Sequence, residues 1–415
     1  MKRTGVLKLT ALVLLLSISA VGLFWATTNL NVHLSNRAGV SSQPVPVSAS
    51  EASVPEPIPE PEPSKLHFMA AGDNLIHDNI YKQAAARVGG NGFDFDPPYQ
   101  YVAGLFKGAD VAFINQESLI AESVAPLSGY PRFNSPEAVG NKLVDMGFNV
   151  VCMANNHMFD MGEDGLIASM DYWGSKQGVL SIGTWRTEED MQNPLTIEKN
   201  GITIGFVPVT EHTNGLKLPA DTALRFIRSD EYELMKQQVA LAKASSDFVI
   251  VSIHWGTENS NNTNDNQLEL AQMFADWGVD MVLGHHSHTL QPMEWRTGQS
   301  GNHTLVVYSM GNFISSMLDP QNMLGGVLDL DIEKDAKTGE TAITSAKMIP
   351  VVTQYDTTGR NNVRIYPFAD YTDELVGKHG MTQWHGQFSL SYLSNIIKQN
   401  IPSEFLNDDV LKKIG

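Results

Sequence analysis

The sequence contains a single cysteine, Cys152, among 415 residues. One cysteine cannot form a disulfide within the chain, so a hydrophobic core must stabilise the fold by itself. The lack of further cysteines also argues against a structural zinc site, which usually takes several thiolates. Any metal site in this protein must therefore be built from imidazole, carboxylate and amide groups.

Basic residues are also scarce, since 28 lysines and arginines stand against 46 aspartates and glutamates and the formal net charge is −18. No extended cluster of Lys or Arg occurs after residue 8. Because contacts to nucleic-acid phosphates need clustered basic side chains, this composition argues against a nucleic-acid-binding protein. We therefore predict no nucleic-acid partner.

A long apolar run lies near the N-terminus, at residues 9–25, after a basic start. This pattern predicts a single-pass membrane anchor within residues 1–30, with the basic end in the cytoplasm and the C-terminal domain extracytoplasmic at the cell membrane. A cleaved signal peptide is the alternative, because the small residues at 17–20 are compatible with cleavage. Residues 31–64 are rich in Ser, Pro and Glu and predict an extended linker that buries no core.

After the linker, short apolar runs alternate with amphipathic stretches of helical period, which is typical of an α/β fold. Five runs are predicted to be buried strands: residues 66–72, 110–114, 148–154, 247–253 and 280–284. Later apolar runs follow one another without intervening helices, so this part of the fold is expected to be antiparallel.

Helices are predicted at residues 135–147 and 266–278, where start and stop residues flank a periodic apolar pattern. The chain beyond the linker is divided into a main domain, residues 65–355, and a C-terminal extension, residues 356–415, which is expected to be partly helical.

Residues that can bind metal ions follow the ends of the predicted strands. They are Asp73; Asn115 and Glu117; Asn155, Asn156 and His157; His254; and His285, His286 and His288. Because ligands bind at the carboxyl ends of strands in open α/β sheets, we expect these side chains to come together. Alone, each group has a simpler interpretation, such as a helix cap at Asp73, a polar turn at Asn156, a core histidine at His254 or a solvated Glu117. Their recurrence at five strand ends favours a metal site.

The mixture of carboxylate, amide and imidazole groups suits a divalent ion such as Mn, Fe or Zn in an open site, with donors enough for one or two ions. His286 and His288 occupy alternate positions and can face the same way in an extended segment, whereas His285 is expected to point the opposite way. Such a site could direct an acidified water at an electrophile such as phosphorus, while His157 protonates the leaving oxygen.

Six motifs follow one another along the chain: GDNLIHD (residues 72–78), NQE (115–117), ANNHMFDMG (154–162), HWGTE (254–258), GHHSH (284–288) and YSMGNF (308–313). Together they resemble the CapA family of bacterial capsule and poly-γ-glutamate synthesis proteins. The resemblance implies a four-layer α/β/β/α sandwich of the calcineurin-like metallophosphoesterase type. It also implies a membrane-anchored protein that acts outside the cell, with membrane-bound polymer synthase components, on poly-γ-glutamate or another anionic envelope polymer.

The resemblance also implies roles for single residues. Metal-ligand positions are matched by Asp73, Asn156, His254 and His286 or His288, and Glu117 stands at the acidic position of the NxE motif. His157 matches the histidine that assists the leaving group, and Asp160 would orient its ring. The remaining candidates, which would support these side chains or contact substrate, are Asn115, Asn155, Arg132, Glu258, His285 and Asn312.

The first two motifs depart from the phosphoesterase pattern, in which a histidine lies two residues after the first aspartate. Leu75 occupies that position here, and the nearest histidine is His77. The aspartate of the second motif is also replaced, with Asn115 and Glu117 as the nearby candidates. Three functions stay open: a metal-dependent hydrolase or transferase in polymer metabolism, a non-catalytic factor that grips polymer through a metal ion during export, and a general envelope phosphoesterase.

Overall fold

The computed structural model describes residues 62–356 and 360–415. The predicted anchor, residues 1–30, and all but the last three residues of the predicted linker, residues 31–64, lie outside these ranges. Within the described residues, no helix is both long enough and apolar enough to cross a lipid bilayer. The anchor and the linker therefore stay predictions.

The strands of the described residues form two mixed sheets. In chain order the strands are β1 (Ser64–Asn74), β2 (Val111–Asn115), β3 (Val150–Cys152), β4 (Leu180–Ile182), β5 (Leu195–Lys199), β6 (Ile202–Thr210), β7 (Phe248–His254), β8 (Met281–His285), β9 (Met293–Thr297), β10 (His303–Val307), β11 (Asn312–Ile314), β12 (Leu324–Lys334), β13 (Thr341–Gln354) and β14 (Arg364–Pro367). The first sheet has the order β14-β13-β12-β1-β2-β3-β4, with β11 beside the end of β1, and the second has the order β5-β6-β7-β8-β10-β9. In the first sheet β1 to β4 run parallel, as do β6, β7, β8 and β10 in the second.

Helices connect many of these strands, and the predicted α/β class is confirmed. They are α1 (Asp78–Arg87), α2 (Asp96–Tyr99), α3 (Glu137–Met146), α4 (Gly162–Gly174), α5 (Tyr232–Ser245), α6 (Asp265–Asp276), α7 (Asp373–Lys378), α8 (Gly380–Trp384), α9 (Leu390–Asn400) and α10 (Asp408–Ile414). Two of them, α3 and α6, correspond to the helices predicted from the sequence. Gly147 ends α3 with a φ of 106°, and α6 begins with a capping box between Asn264 and Gln267.

The two sheets pack face to face through apolar side chains. Along β7, Phe248 and Ile250 join the apolar cluster of the first sheet, whereas the alternate residue Val249 packs with α5 and α6 on the other side. Phe113 of β2 and Phe206 of β6 stack across the interface, with ring centroids 6.3 Å apart. The stacking places the carboxyl ends of parallel strands from both sheets at one edge of the molecule.

The remaining helices enlarge the core around the first sheet. Leu143 of α3 and Trp173 of α4 belong to its apolar cluster, and so do Leu393 and Ile397 of α9. The described part of residues 356–415 contains β14 and the helices α7 to α10, and it belongs to the same compact unit as the preceding strands. The C-terminal region is therefore packed onto the sheet rather than held apart from it.

Candidate metal centre

The candidate site lies at the edge where strand ends from the two sheets meet. The first sheet supplies Asp73 from β1, Asn115 and Glu117 from the end of β2, and Asn156 from the segment after β3. The second sheet supplies His254 as the last residue of β7, and His285, His286 and His288 from the end of β8. Each of these side chains is buried, with no more than 3% of its surface exposed. Residues far apart in the chain thus meet in a space that is shielded from water.

Three of these residues, Glu117, His254 and His286, offer ligand atoms that all lie within 4.8 Å of one another. His254 Nε2 is 3.1 Å from His286 Nδ1 and 3.5 Å from Glu117 Oε1. The amide oxygen of Asn156 lies 3.0 Å from the same nitrogen of His254. We call these four residues the first group, in which a carboxylate, an amide oxygen and two imidazoles converge.

The second group consists of Asp73, Glu117 and His288, whose ligand atoms also all lie within 4.8 Å of one another. His288 Nδ1 is 3.4 Å from Asp73 Oδ2, and His288 Nε2 is 3.6 Å from Glu117 Oε1. Asn115 Nδ2 donates to Asp73 Oδ1 at 2.8 Å, and Asn312 Oδ1 lies 3.1 Å from His288 Nδ1. Glu117 belongs to both groups and is the carboxylate that they share.

The hydrogen bonding of the site is incomplete. Both carboxylate oxygens of Glu117, the amide oxygen of Asn115 and both ring nitrogens of His285 are buried without a hydrogen-bond partner. Each buried polar group left unpaired costs roughly 1–3 kcal/mol, so a ligand is expected to satisfy some of them. Carboxylate, amide and imidazole donors without a thiolate are a set that Mn, Fe or Zn accepts. The residues present therefore fit a divalent metal ion.

Asp73 and His288 form a buried ion pair. Burial acts to raise the pKa of Asp73, but the rings of His285 and His288, each with Nδ1 3.4 Å from a carboxylate oxygen, hold it well below its ordinary value. Burial acts to lower the pKa of His288, but the carboxylates of Glu117 and Asp73 raise it to about 9. Without an ion the pair is charged at neutral pH, so the His288 ring must lose a proton before it can bind a metal.

Burial shifts the pKa values of the remaining titratable members of the two groups, Glu117, His254 and His286, toward their neutral forms. Burial, opposed by the charge of His288 and reinforced by that of Asp73, raises the pKa of Glu117 well above its ordinary value. Burial also lowers the pKa values of His254 and His286 well below the ordinary range, and the neighbouring histidines add to this effect. Neutral imidazole is the form that binds metal ions, and a bound cation would favour the ionised form of Glu117.

The backbone is strained at two of the histidines. His286 and His288 lie in the left-handed region, with φ values of 92° and 57°, where residues other than glycine are uncommon. The preceding His285 follows the strand and packs between the sheets on Phe113, with ring centroids 5.8 Å apart. The expectation of an extended segment at residues 286–288 is therefore wrong, because left-handed turns bring His286 and His288 toward Glu117.

His157 lies beside the first group and is held by Asp160. Asp160 Oδ2 is 2.7 Å from His157 Nδ1 and also accepts the backbone N–H of Phe133 at 2.6 Å. The Phe133 ring stands perpendicular to the His157 ring, with centroids 4.8 Å apart. Asn155 Oδ1 accepts the backbone N–H of His157 at 3.0 Å. Because the Nδ1 hydrogen is directed at Asp160, Nε2 is the nitrogen left for proton transfer.

Some predicted site residues lie outside both groups. Arg132 and Glu258 lie on exposed loops, and their predicted contacts to substrate stay predictions. His285 is buried and places Nδ1 3.4 Å from Asp73 Oδ1, so it supports that carboxylate. His77, the histidine nearest to the first motif, accepts the backbone N–H of Ser316 at its Nδ1, 3.3 Å away, and does not replace the missing histidine.

Two residues that the sequence analysis did not single out contact the first group. His212 Nε2 lies 3.1 Å from His286 Nε2, and Asn214 Oδ1 accepts the Asn156 Nδ2 hydrogen at 3.3 Å. Both residues follow β6, which was not among the predicted strands. The glycine and proline within β6 interrupt its apolar run, which weakens the strand-end signal that His212 would otherwise share with the other site residues.

Comparison with protein families gives a match to the family described as "Bacterial capsule synthesis protein PGA_cap" over residues 67–317, more than half of the chain. The chain is 29% identical over 222 residues to "PGA biosynthesis protein CapA" of Bacillus subtilis (strain 168), which covers 53% of this chain and 57% of that protein. It is 29% identical over 183 residues to "Capsule biosynthesis protein CapA" of Bacillus anthracis, with 41% of each chain covered. The chain thus spans about half the length of the curated relatives it matches.

Among solved structures, the chain is similar to a calcineurin-like phosphoesterase, YfkN, from Bacillus subtilis. The sequence identity is 14% and the TM-score is 0.41, with 85% of this chain and 98% of that chain covered. The 5′-nucleotidase from Candida albicans is also similar, at 10% identity and a TM-score of 0.36, over 68% of this chain and 51% of that chain.

Proposed function

The chain belongs to the family of bacterial capsule synthesis proteins matched over residues 67–317, and from this membership we propose that it takes part in the synthesis or export of poly-γ-glutamate. Two of its relatives are named as a PGA biosynthesis protein and a capsule biosynthesis protein. In this proposal the described domain acts outside the cell, and the N-terminal apolar segment attaches it to the membrane beside the polymer synthase.

The observation that carries the proposal is the position of Glu117 between two groups of metal-binding side chains, next to His157. Glu117 is shared by the groups built on His254 and on Asp73, and both of its oxygens are buried without a partner. A site that serves only to stabilise the fold would have its buried polar atoms paired. We propose that the groups hold divalent metal ions and that His157 is the general acid.

A divalent ion bound there would polarise an anionic substrate and lower the pKa of a water molecule. The chain's own residues then position and protonate the substrate. Asp160 holds the Nδ1 hydrogen of His157 and so keeps Nε2 available as the proton donor to a leaving oxygen. Asn155 Oδ1 accepts the backbone N–H of His157 and so holds the backbone of His157 in place. The Phe133 ring packs against the His157 ring, and both His157 and Asp160 are buried.

A second candidate function is binding without turnover. Leu75 stands where the phosphoesterase motif has a histidine, so the second group offers three side-chain ligands while the first offers four with Asn156. A chain with a net charge of −18 is poorly suited to hold a polyanion directly. Through a metal ion, however, the same site could grip the carboxylates of nascent polymer during export.

The test uses the full-length chain loaded with Mn²⁺ and assayed for hydrolysis of phosphoesters and of poly-γ-glutamate. We expect turnover in the parent, and in His157→Gln a loss of roughly 100- to 10,000-fold with unchanged metal content, since general acid catalysis contributes that much. Polymer production in cells that carry His157→Gln is the second readout, and it should fall with the enzyme activity.

The outcomes separate the candidates. A metal-loaded chain that hydrolyses neither substrate, together with normal polymer production by His157→Gln, would exclude the hydrolase. Polymer binding that a chelator abolishes would then favour the export factor. Phosphoester hydrolysis with normal polymer production in that variant would favour a general envelope phosphoesterase.

A further inference from the structure

We propose that the segment after β6, residues 211–215, orients two of the metal-binding side chains: His212 sets which ring nitrogen of His286 faces the other donors, and Asn214 sets which end of the Asn156 amide does. The inference deepens the proposed function and rests on its metal centre. It assigns positioning roles to two residues that no resemblance supplied.

The segment lies at the site because of sheet topology. β6 runs parallel to β7 and ends at Thr210, beside His254, the last residue of β7. The backbone N–H of Glu211 donates to the carbonyl of His254 at 2.8 Å, and Glu211 Oε2 accepts the N–H of Gly256 at 2.8 Å. The residues that follow are thereby fastened to the strand end that carries one of the metal-binding histidines.

His212 determines the hydrogen position on His286. The two Nε2 atoms are 3.1 Å apart, and the rings are nearly perpendicular, at 81°. His286 Nδ1 faces the other way, 3.1 Å from His254 Nε2. A neutral imidazole carries one hydrogen, so a His286 Nε2–H that donates to His212 leaves the Nδ1 lone pair directed at the first group. Metal-binding histidines are commonly oriented by such a partner on the opposite nitrogen.

Asn214 determines the orientation of the Asn156 side-chain amide. Asn156 Nδ2 donates to Asn214 Oδ1 at 3.3 Å, and this turns the Asn156 Oδ1 toward His254 Nε2, 3.0 Å away. A rotated amide would present N–H groups to the first group, and these cannot bind a cation. Asn214 adopts a left-handed backbone with φ of 50°, a conformation that Asn and Asp tolerate better than other non-glycine residues.

The segment is itself anchored away from the ligands, as a positioning element must be. Thr210 Oγ1 donates to the carbonyl of His212 at 3.0 Å, and Thr213 Oγ1 donates to the carbonyl of Leu216 at 2.7 Å. Leu216 and Leu218 pack on an apolar cluster that includes Met158. The backbone that carries His212 and Asn214 is thus held by contacts other than those with the ligands.

The support is selective for the first group. In the second group, Asp73 accepts hydrogen bonds from Asn115 Nδ2 and from the backbone N–H of His286, and His288 Nδ1 lies 3.1 Å from the amide oxygen of Asn312. None of these contacts involves a side chain of the segment after β6. Variants in the segment should therefore weaken ion binding at the first group and leave the second group's side chains as they are. This selectivity separates an orienting role from a general loss of structure.

The test compares two pairs of variants in the full-length chain. His212→Leu and Asn214→Gly remove the hydrogen-bond acceptor, whereas His212→Gln and Asn214→Asp keep one, and Gly and Asp both tolerate the left-handed backbone. We expect the affinity for Mn²⁺ to fall roughly 10- to 100-fold in the Leu and Gly variants, the usual effect of removing a partner behind a metal ligand. The Gln and Asp variants should stay close to the parent.

Two further readouts make the result decisive. The visible absorption spectrum of bound Co²⁺ reports ligand geometry and should change in the Leu and Gly variants alone. Parent-like affinity and spectra in all four variants would overturn the inference, and so would equal losses in the acceptor-keeping and acceptor-lacking variants. A parent chain that binds neither ion would overturn the metal centre and this inference together, which is a different result from a binding parent with unaffected variants.

Discussion

Two regions of the chain bury histidine side chains, but the ring nitrogens have different hydrogen-bond partners in the two regions. In the C-terminal region, His379 is fully buried, lies 2.9 Å from the Thr353 carbonyl through Nε2, and accepts the Met381 N–H at Nδ1, also at 2.9 Å. At the strand-end site, His254 Nε2 faces His286 Nδ1 at 3.1 Å, and the ring nitrogens of His285 make no hydrogen bond, although Nδ1 lies 3.4 Å from Asp73 Oδ1. One region completes its hydrogen bonds with backbone groups, while the other directs lone pairs at a common point.

The comparison shows which property separates a structural histidine from a ligand. Burial lowers the pKa of His379 to about 4, and it lowers the pKa values of His254 and His286 as well. The direction of the shift is therefore the same in both regions. The difference lies in the partners, since a neutral ring with one donated and one accepted hydrogen bond has no capacity left for a metal ion.

The largest effect is expected from Glu117→Gln. This change keeps the shape of the side chain and removes the carboxylate that both groups share. Affinity for Mn²⁺ should fall by more than about 100-fold, because even substitutions behind a ligand cost 10- to 100-fold. Isothermal titration of the full-length chain measures this, with His379→Gln as the control that keeps parent affinity. Unchanged Mn²⁺ binding by Glu117→Gln would show that the strand-end site does not bind the ion through Glu117, and the site would then not differ from the His379 region in this respect.

The second prediction concerns His379→Ala, which should lower stability and leave ion affinity unchanged. It removes the ring that lies between Tyr355 and Phe388, each with a centroid distance of 4.6 Å, together with two hydrogen bonds. The free energy of unfolding should fall by about 2–3 kcal/mol, from lost packing and from unpaired backbone groups. Urea denaturation of the ion-free chain measures it, and ion affinity should not change. If His254→Ala lowered the free energy of unfolding of the ion-free chain as much as His379→Ala does, His254 would have a structural role as well.

A pH prediction follows from the lowered pKa of His379. The ring takes a proton near its ordinary value of 6.5 in the unfolded chain but only at about 4 in the folded protein. Its contribution to stability is therefore present above the unfolded value and is lost as the pH falls toward the folded one. Between about pH 8 and about pH 5 the loss should be about 2 kcal/mol.

The matched variant for this prediction is His379→Gln, whose side chain does not titrate. The difference in unfolding free energy between parent and variant should shrink by that amount as the pH falls, because other titrating groups are common to both proteins. Parallel pH curves would show that His379 does not carry the dependence.

The smallest effect is expected from Leu75→His. Leu75 is buried and stands two residues after Asp73, where the phosphoesterase motif carries a histidine. An imidazole there would add a fourth side chain to the second group, and we expect about a tenfold gain in affinity for a second ion, or about 1.4 kcal/mol. Leu75→Asn is the control without an imidazole. Equal affinity in both variants would show that this position does not face the second group.

Much of the fold and of the site could be predicted from the sequence because the signals are local. Apolar runs followed directly by Asp73, His254 or His286 mark strands whose ends carry polar groups, and the edge rule for α/β sheets places those ends together. The helices α3 and α6 were predicted from periodicity with flanking glycine and polar residues, which depend on a few neighbouring positions.

Other features could not be predicted from local sequence signals. His212 follows β6, a strand whose glycine and proline interrupt its apolar pattern, so its place beside His286 was not predicted. The sequence spacing suggested an extended segment at His286 and His288, but the backbone there is left-handed. Glu258 is the last residue of the HWGTE motif and Arg132 lies between two motifs, yet the fold leaves both on exposed loops. These features depend on contacts between distant segments.

The sequence by itself determined the chemistry of the site: carboxylates, amides and imidazoles without thiols, each placed at the end of a strand. Only the tertiary structure decided that Glu117 lies between the two groups, that His285 turns inward and that the segment after β6 reaches His286 and Asn156. The reason is physical. Local residues set the period and the ends of each strand, whereas the stacking of two sheets sets the distances between their ends.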